Sequence, residues 1–216
     1  MGFSPFCFGH AAWNALHSLS GRSLVEATMA YPLGACPLKT VPTLVAKAKH
    51  ILPDRLKPGL KLVFCGTAAG RVSALRQAYY AHSQNKFWAT LHAVGLTPRL
   101  FAPDEYELLW EHGIGLTDIA KHVYGMDHQL PKDALGDEAA AALRARILSI
   151  QPKLLAFTSL KAGRKVMGPR ALAGEQPEKL GTTSVFILPS PSPLAANHWD
   201  IQPWQDLARA VKKLTR

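Results

Sequence analysis

Short apolar runs alternate with longer stretches of helical period along most of the chain. Lys61-Leu62-Val63-Phe64-Cys65 is the first such run, a β-type segment stopped by Gly66, with the form of a buried first strand in an α/β sheet. Leu154-Leu155-Ala156-Phe157 and Ser184-Val185-Phe186-Ile187-Leu188 read as two further buried strands. Residues 85–94 place Phe87, Trp88, Leu91 and Val94 on one helical face, and Gly95 ends that helix with the φ freedom a C-terminal cap requires. Pro103-Asp104-Glu105 opens another helix with acids against its dipole, and Tyr106, Leu109 and Trp110 form its apolar face up to Gly113. A short segment, residues 114–120, follows. Residues 137–150 repeat the helical spacing with Ala140, Leu143, Ile147 and Ile150. The last helix turns Trp204, Leu207, Val211 and Leu214 inward and Arg209, Lys212, Lys213 and Arg216 outward. Ahead of the first strand, Leu44, Val45, Ala48 and Ile51 give a lead-in helix over residues 42–51, closed by Pro53.

Strands alternating with helices imply a mainly parallel sheet covered on both faces. A length of 216 residues suits one main core. The expected organisation is an N-terminal extension with the lead-in helix over residues 1–57 and one domain over residues 58–216, without repeats or low-complexity tracts. Residues 1–21 contain no Lys, Arg, Asp or Glu, yet Ser4, Pro5, Gly9, His10, Asn14, His17 and Ser18 interrupt the segment and no basic region precedes it. An accessory terminal segment fits that pattern better than a signal peptide or a membrane span.

Charge narrows the partners. A formal net charge of +10 favours a polyanion, with nucleic acid first and an anionic membrane surface second. Cys7, Cys36 and Cys65 are odd in number and form no C-x-x-C pair, so neither a disulfide framework nor a zinc or iron–sulfur site is supported, and a reducing compartment fits best. In open parallel sheets, ligands bind beyond the C-terminal strand ends, which singles out Gly66-Thr67-Ala68-Ala69-Gly70 and residues 189–197. The first loop is spaced G-x-x-x-G, not G-x-G-x-x-G, and no acid lies between Asn85 and Ala102 to hold a ribose. A dinucleotide site is therefore disfavoured, and no Gly-Lys-Ser/Thr follows to make a P-loop.

Val63-Phe64-Cys65-Gly66, then Gly70, Tyr80-Ala81-His82 and Asn85-Lys86-Phe87-Trp88, resembles the mismatch-specific uracil-DNA and thymine-DNA glycosylases of the uracil-DNA glycosylase superfamily. The resemblance continues through residues 113–119 to Pro189-Ser190-Pro191-Ser192-Pro193-Leu194 and covers residues 58–216. It implies a three-layer α/β/α sandwich around a central, mainly parallel sheet of about four strands. It also implies a DNA repair enzyme that rotates uracil out of the stack and hydrolyses its N-glycosidic bond, leaving an abasic site. By resemblance, Leu194 is the wedge that fills the vacated stack, on a loop stiffened by Pro189, Pro191 and Pro193; a buried turn leucine is the alternative. Tyr80 sits where the family stacks an aromatic on the flipped base, against ordinary core packing as the other reading. Ser192 would grip a phosphate, and the backbone N–H groups from Gly66 to Gly70 would face the pyrimidine carbonyls. Asn85 and Trp88 are better explained as a helix-capping amide and a core indole. Arg71, Lys86 and the C-terminal basic face either touch phosphates or are solvated surface charge.

The chain departs from the family at two positions. Ala68 stands where the family has the Asn that positions the attacking water, and Ser190 heads the second loop where relatives have Asn or His. Catalysis is then redistributed or lost. Asp118, expected on a loop where relatives place a polar pocket residue, is the leading candidate for organising water or cation-like charge; pairing with Lys121 or capping a turn is the alternative. Thr67 could replace part of the water contact or cap backbone, and His82 could donate to the leaving base. The expected partner is uracil-containing DNA, bound by a cytoplasmic monomer, nucleoid-associated if bacterial, with no metal, nucleotide cofactor or membrane involved. The competing expectation is a damaged-DNA-binding module of the same fold in which Ala68 and Ser190 mark a decayed site.

Overall fold

The computed structural model describes residues 49–214. The apolar runs build the sheet: β1 (Leu62–Ala69), β2 (Ile114–Tyr124), β3 (Leu154–Phe157), β4 (Gly174–Glu175) and β5 (Ser184–Ile187). Their order is β2-β1-β3-β5-β4, parallel except for the short antiparallel edge strand β4. The sheet thus has five strands where about four were expected, and the added one is β4, too short to show an apolar pattern.

Successive β1 side chains enter opposite cores. Leu62 and Phe64 pack with Phe87, Leu91 and Trp204, while Val63 and Cys65 pack with Leu143, Ile147 and Val166. Burial on both faces explains why these strands read as continuous apolar runs. The helices are α1 (Arg71–Arg76), α2 (Phe87–Ala93), α3 (Asp137–Ile150), α4 (Leu160–Met167) and α5 (Gln202–Lys213). α2 and α5 cover the first face and α3 and α4 the second, giving the three-layer sandwich.

Several local expectations change. Gly66 does not end β1: residues 66–69 continue in register with β2, Gly66 opposite Asp118 and Ala68 opposite Ala120. Pairing with β3 stops earlier, at Cys65 opposite Phe157, so the end of β1 has a strand partner on the β2 side alone. Residues 114–120 are the first part of β2, and Asp118 lies in that strand, not on a loop. Gly115 permits this, because a Cβ there would meet the Arg55 carbonyl oxygen at 2.6 Å, where Arg55 bridges antiparallel to Leu116. α4 was not expected; Ser159 caps it by accepting from the Ala162 amide.

The segment from Pro103 is a 3-10 helix (Pro103–His112), ended by Gly113 at φ 73°. Leu214, expected inward, is exposed. The lead-in helix falls outside the described residues except at its end, where residues 49–51 are not helical, and Cys7, Cys36, Arg216 and the expected accessory segment also lie outside them. No helix among the described residues is long and apolar enough to cross a membrane.

Candidate active site

The parallel strands end on one side of the sheet, and their ends bring polar groups together. Asp118 faces Gly66 across the β1–β2 pair so closely that a Cβ on Gly66 would overlap the Asp118 Oδ1, with the Tyr80 hydroxyl 3.5 Å from the same point. The glycine is needed for the carboxylate to be there. Asp118 is buried, and among the described residues its carboxylate accepts no hydrogen bond. Burial raises its pKa from 3.8 to about 6, with Lys121 pulling it down, Asp54 pushing it up and Arg146 pulling it down. Such a carboxyl is ionised at neutral pH and only just so, which suits proton transfer near pH 7. Gly66→Ala is expected to destabilise by about 1–3 kcal/mol through overpacking and to stop any chemistry that depends on Asp118. Adding Asp118→Ala, which empties the space, should restore the melting temperature and not the activity.

Tyr80 adopts a left-handed backbone at φ 53°, unusual for an aromatic residue. Its hydroxyl lies 3.1 Å from the Thr158 Oγ1, and its ring stacks on Phe87 with centroids 3.8 Å apart and planes at 16°. Trp88 fixes the preceding peptide by donating from Nε1 to the Tyr79 carbonyl oxygen, and Asn85 accepts from the Phe87 amide at the start of α2. Those are the capping and core roles expected of Asn85 and Trp88. Tyr80 is half-buried, held by Phe87 on one side and Thr158 at its tip. Thr158 had no sequence signal of its own, since it is a single hydroxyl residue directly after the apolar run of β3.

The proline-rich loop presents an apolar tip. Ser190 accepts from the Ser192 amide at 3.3 Å, and Ser192 in turn accepts from the Leu194 amide at 3.4 Å. The Lys86 amide donates to the Pro191 carbonyl oxygen and Trp204 Nε1 to that of Pro189, tying the loop to α2 and α5. Pro193 opens the 3-10 turn Pro193–His198, and the Leu194 side chain projects from it 72% exposed. This excludes a buried turn leucine. An apolar side chain held in water by a loop bonded at both ends has the build of a wedge.

A family model described as the uracil DNA glycosylase superfamily matches residues 53–214. The chain belongs to the uracil DNA glycosylase superfamily. Among solved structures it is similar to a candidate uracil DNA glycosylase of Methanosarcina acetivorans determined by solution NMR. The two share 20% identity, with a TM-score of 0.51 over 76% of this chain and 98% of the other, a likeness of fold. Superfamily membership points to DNA as substrate and to glycosylase-type repair chemistry.

In this glycosylase-fold chain, a buried charge cluster lies beside Asp118. Lys121 pairs with Asp54 at 2.7 Å, not with Asp118, and donates to the Tyr79 hydroxyl at 3.3 Å. Asp54 also accepts from the Thr117 hydroxyl at 2.6 Å, and Arg146 donates to the Asp118 backbone oxygen at 2.9 Å. The alternative in which Asp118 pairs directly with Lys121 is not met: the ion-pair partner of Lys121 lies 67 positions earlier in the chain, which spacing within β2 could not reveal, and Lys121 acts on Asp118 only at longer range.

The remaining expected residues are placed elsewhere. Thr67 spends its hydroxyl proton on the Asp127 carboxylate at 2.7 Å, and among the described residues it caps no backbone amide. Ala68 is half-buried in β1, and Gly70 leads into α1 with open space where a side chain would be. Arg71 is exposed on the first turn of α1, and Lys86 lies over the Trp199 ring at 4.9 Å. His82 is exposed, with Nδ1 accepting from the Gln84 amide, and no contact joins it to Asp118 or Tyr80 among the described residues. The structure therefore gathers Gly66, Asp118, Tyr80 and Thr158 and leaves out Thr67 and His82. Among the described residues, no group of three or more His, Cys, Asp or Glu could hold a metal ion.

Proposed function

We propose that this chain is a monofunctional uracil-DNA glycosylase, related in its sequence blocks to the mismatch-specific uracil and thymine glycosylases, with Asp118 in the place of the family's missing Asn. The observation that carries this reading is the buried, singly placed carboxylate of Asp118 against Gly66, under the Tyr80 hydroxyl. Leu194 enters the stack as the uracil leaves it, and the base slides against the ring face of Tyr80 that Phe87 does not cover. Backbone N–H groups between Gly66 and Gly70, beyond the last β3 pairing, serve the pyrimidine carbonyls. The C1′–N1 bond then breaks with its electron pair leaving on uracil. Water adds through oxygen to the oxocarbenium-like C1′, its proton passes to Asp118, and the uracil anion is protonated from solvent. Asp118 thus stabilises the sugar cation and takes the proton, and Ser190 and Ser192 hold the wedge loop and the adjacent phosphate. Neither a metal nor a nucleotide cofactor enters this scheme, and a monomer suffices for it.

Mass spectrometry of the reaction with a uracil-containing duplex tests the proposal: free uracil and an abasic strand are the expected products. Tight binding with no released uracil would favour the damage-binding module, to which Ala68 gives its support. Leu194→Ala should slow excision from duplex by about tenfold, corresponding to about 1.4 kcal/mol of lost wedge energy, while single-stranded substrate reacts nearly as before. Equal slowing on both substrates would remove Leu194 from base extrusion.

A further inference from the structure

Away from the strand ends, α3 and α4 flank an open groove of about 780 Å³. Its walls carry Arg144 from α3 and Lys161, Arg164 and Lys165 from α4, against the single acid Asp137. The spacing within α4 produces this stripe: Ala162, Gly163 and Val166 are buried against the sheet, so Lys161, Arg164 and Lys165 are left in solvent. Lys161 is held by Asp127, and Arg164 donates to the Ala171 carbonyl oxygen. The side chains of Arg144 and Lys165 make no ion pair or hydrogen bond among the described residues. Cations gathered in one concavity repel one another, and a polyanion entering the groove would neutralise them.

The groove is also tied to the candidate active site. Lys161 donates to the Asp127 backbone oxygen at 3.0 Å, and the Asp127 carboxylate holds the hydroxyl of Thr67, which follows Gly66. From that near end, the eight residues of α4 extend about 12 Å. This length matches roughly three to four base-pair steps measured along the duplex axis.

We propose that the α3–α4 groove holds the phosphate backbone of duplex DNA flanking the extruded nucleotide, with Arg144 and Lys165 as its free phosphate contacts. The inference rests on the glycosylase reading and extends the DNA footprint beyond the strand ends to a second face of the protein.

The test is the salt dependence of binding, by fluorescence anisotropy, for the full chain and the Arg144→Gln/Lys165→Gln variant. Two duplexes carry one uracil each, one with long arms on both sides and one with the arm over the groove cut to a few base pairs. Loss of two phosphate contacts should reduce the slope of log K against log salt by about 1.8 on the long duplex and leave it unchanged on the cut one. Excision at saturating DNA and the melting temperature should stay at wild-type values, since both side chains lack partners. If the wild type binds and excises while the variant keeps the wild-type slope, the groove is not a DNA contact. The same follows if the slope falls equally on both duplexes, which indicates general charge only. A wild type that binds neither duplex contradicts the glycosylase reading itself.

Discussion

Asp118→Asn is expected to make the protein more stable at neutral pH and to remove its base-excision activity. The native carboxyl titrates near 6, above its ordinary 3.8, because burial penalises the charged form. Between those values the folded state binds more protons than the unfolded state, so stability falls as pH rises through that window and stays reduced above it. The difference corresponds to about 3 kcal/mol at neutral pH. Asn does not ionise and escapes this cost. The variant should melt several degrees above wild type near pH 8, with the gap closing toward pH 4. Single-turnover excision should meanwhile fall by about 10²–10⁴, the usual weight of a positioned acid or base. A gain in stability paired with a loss of activity separates a chemical role from simple unfolding. Equal melting temperatures at both pH values would show that Asp118 is not held as a costly buried carboxylate.

Asp54→Asn has the largest expected effect on folding. It leaves the Lys121 ammonium, whose side chain is 3% exposed, without its carboxylate partner at 2.7 Å. Breaking one side of a buried pair costs about 3–5 kcal/mol, so the melting temperature should drop by about 10 °C or more. Adding Lys121→Met removes the stranded charge and should recover much of that loss. The pair also acts on the neighbouring carboxyl, since Asp54 raises the Asp118 pKa and Lys121 lowers it. Asp54→Asn should therefore move the acidic limb of the rate profile to lower pH, and Lys121→Met should move it to higher pH. Unshifted profiles would leave the cluster with a structural role alone.

How far the sequence carried depended on where each residue finds its partners. β3, β5 and α3 were legible because their apolar positions are satisfied by burial, and burial leaves a periodic trace in the chain. β2 was not, because Thr117, Asp118 and Lys121 interrupt its apolar run. Two of those side chains are compensated by Asp54, more than sixty positions away, a partnership without local signature. Gly66 looked like a strand terminator, whereas the space beside it belongs to the Asp118 carboxylate. α4 was hidden by Gly163, an unfavourable helix residue retained where the Ile187 side chain packs against it. At the candidate site, Tyr80, Leu194 and Asp118 were visible through the resemblance of the surrounding blocks. Thr158, Asp127 and the strand setting of Asp118 emerged only from the assembled sheet.

The most direct measurement is the single-turnover rate of uracil removal from a labelled oligonucleotide, with protein in excess and chelator present, from about pH 5 to about pH 8. For the wild type, the rate should rise with pH and level off with a midpoint near 6, where Asp118 loses its proton, and Asp118→Asn should be nearly inactive throughout. A wild-type rate flat across that range, or an Asp118→Asn variant cleaving as fast as wild type, would contradict the assignment of the chemistry to this carboxylate.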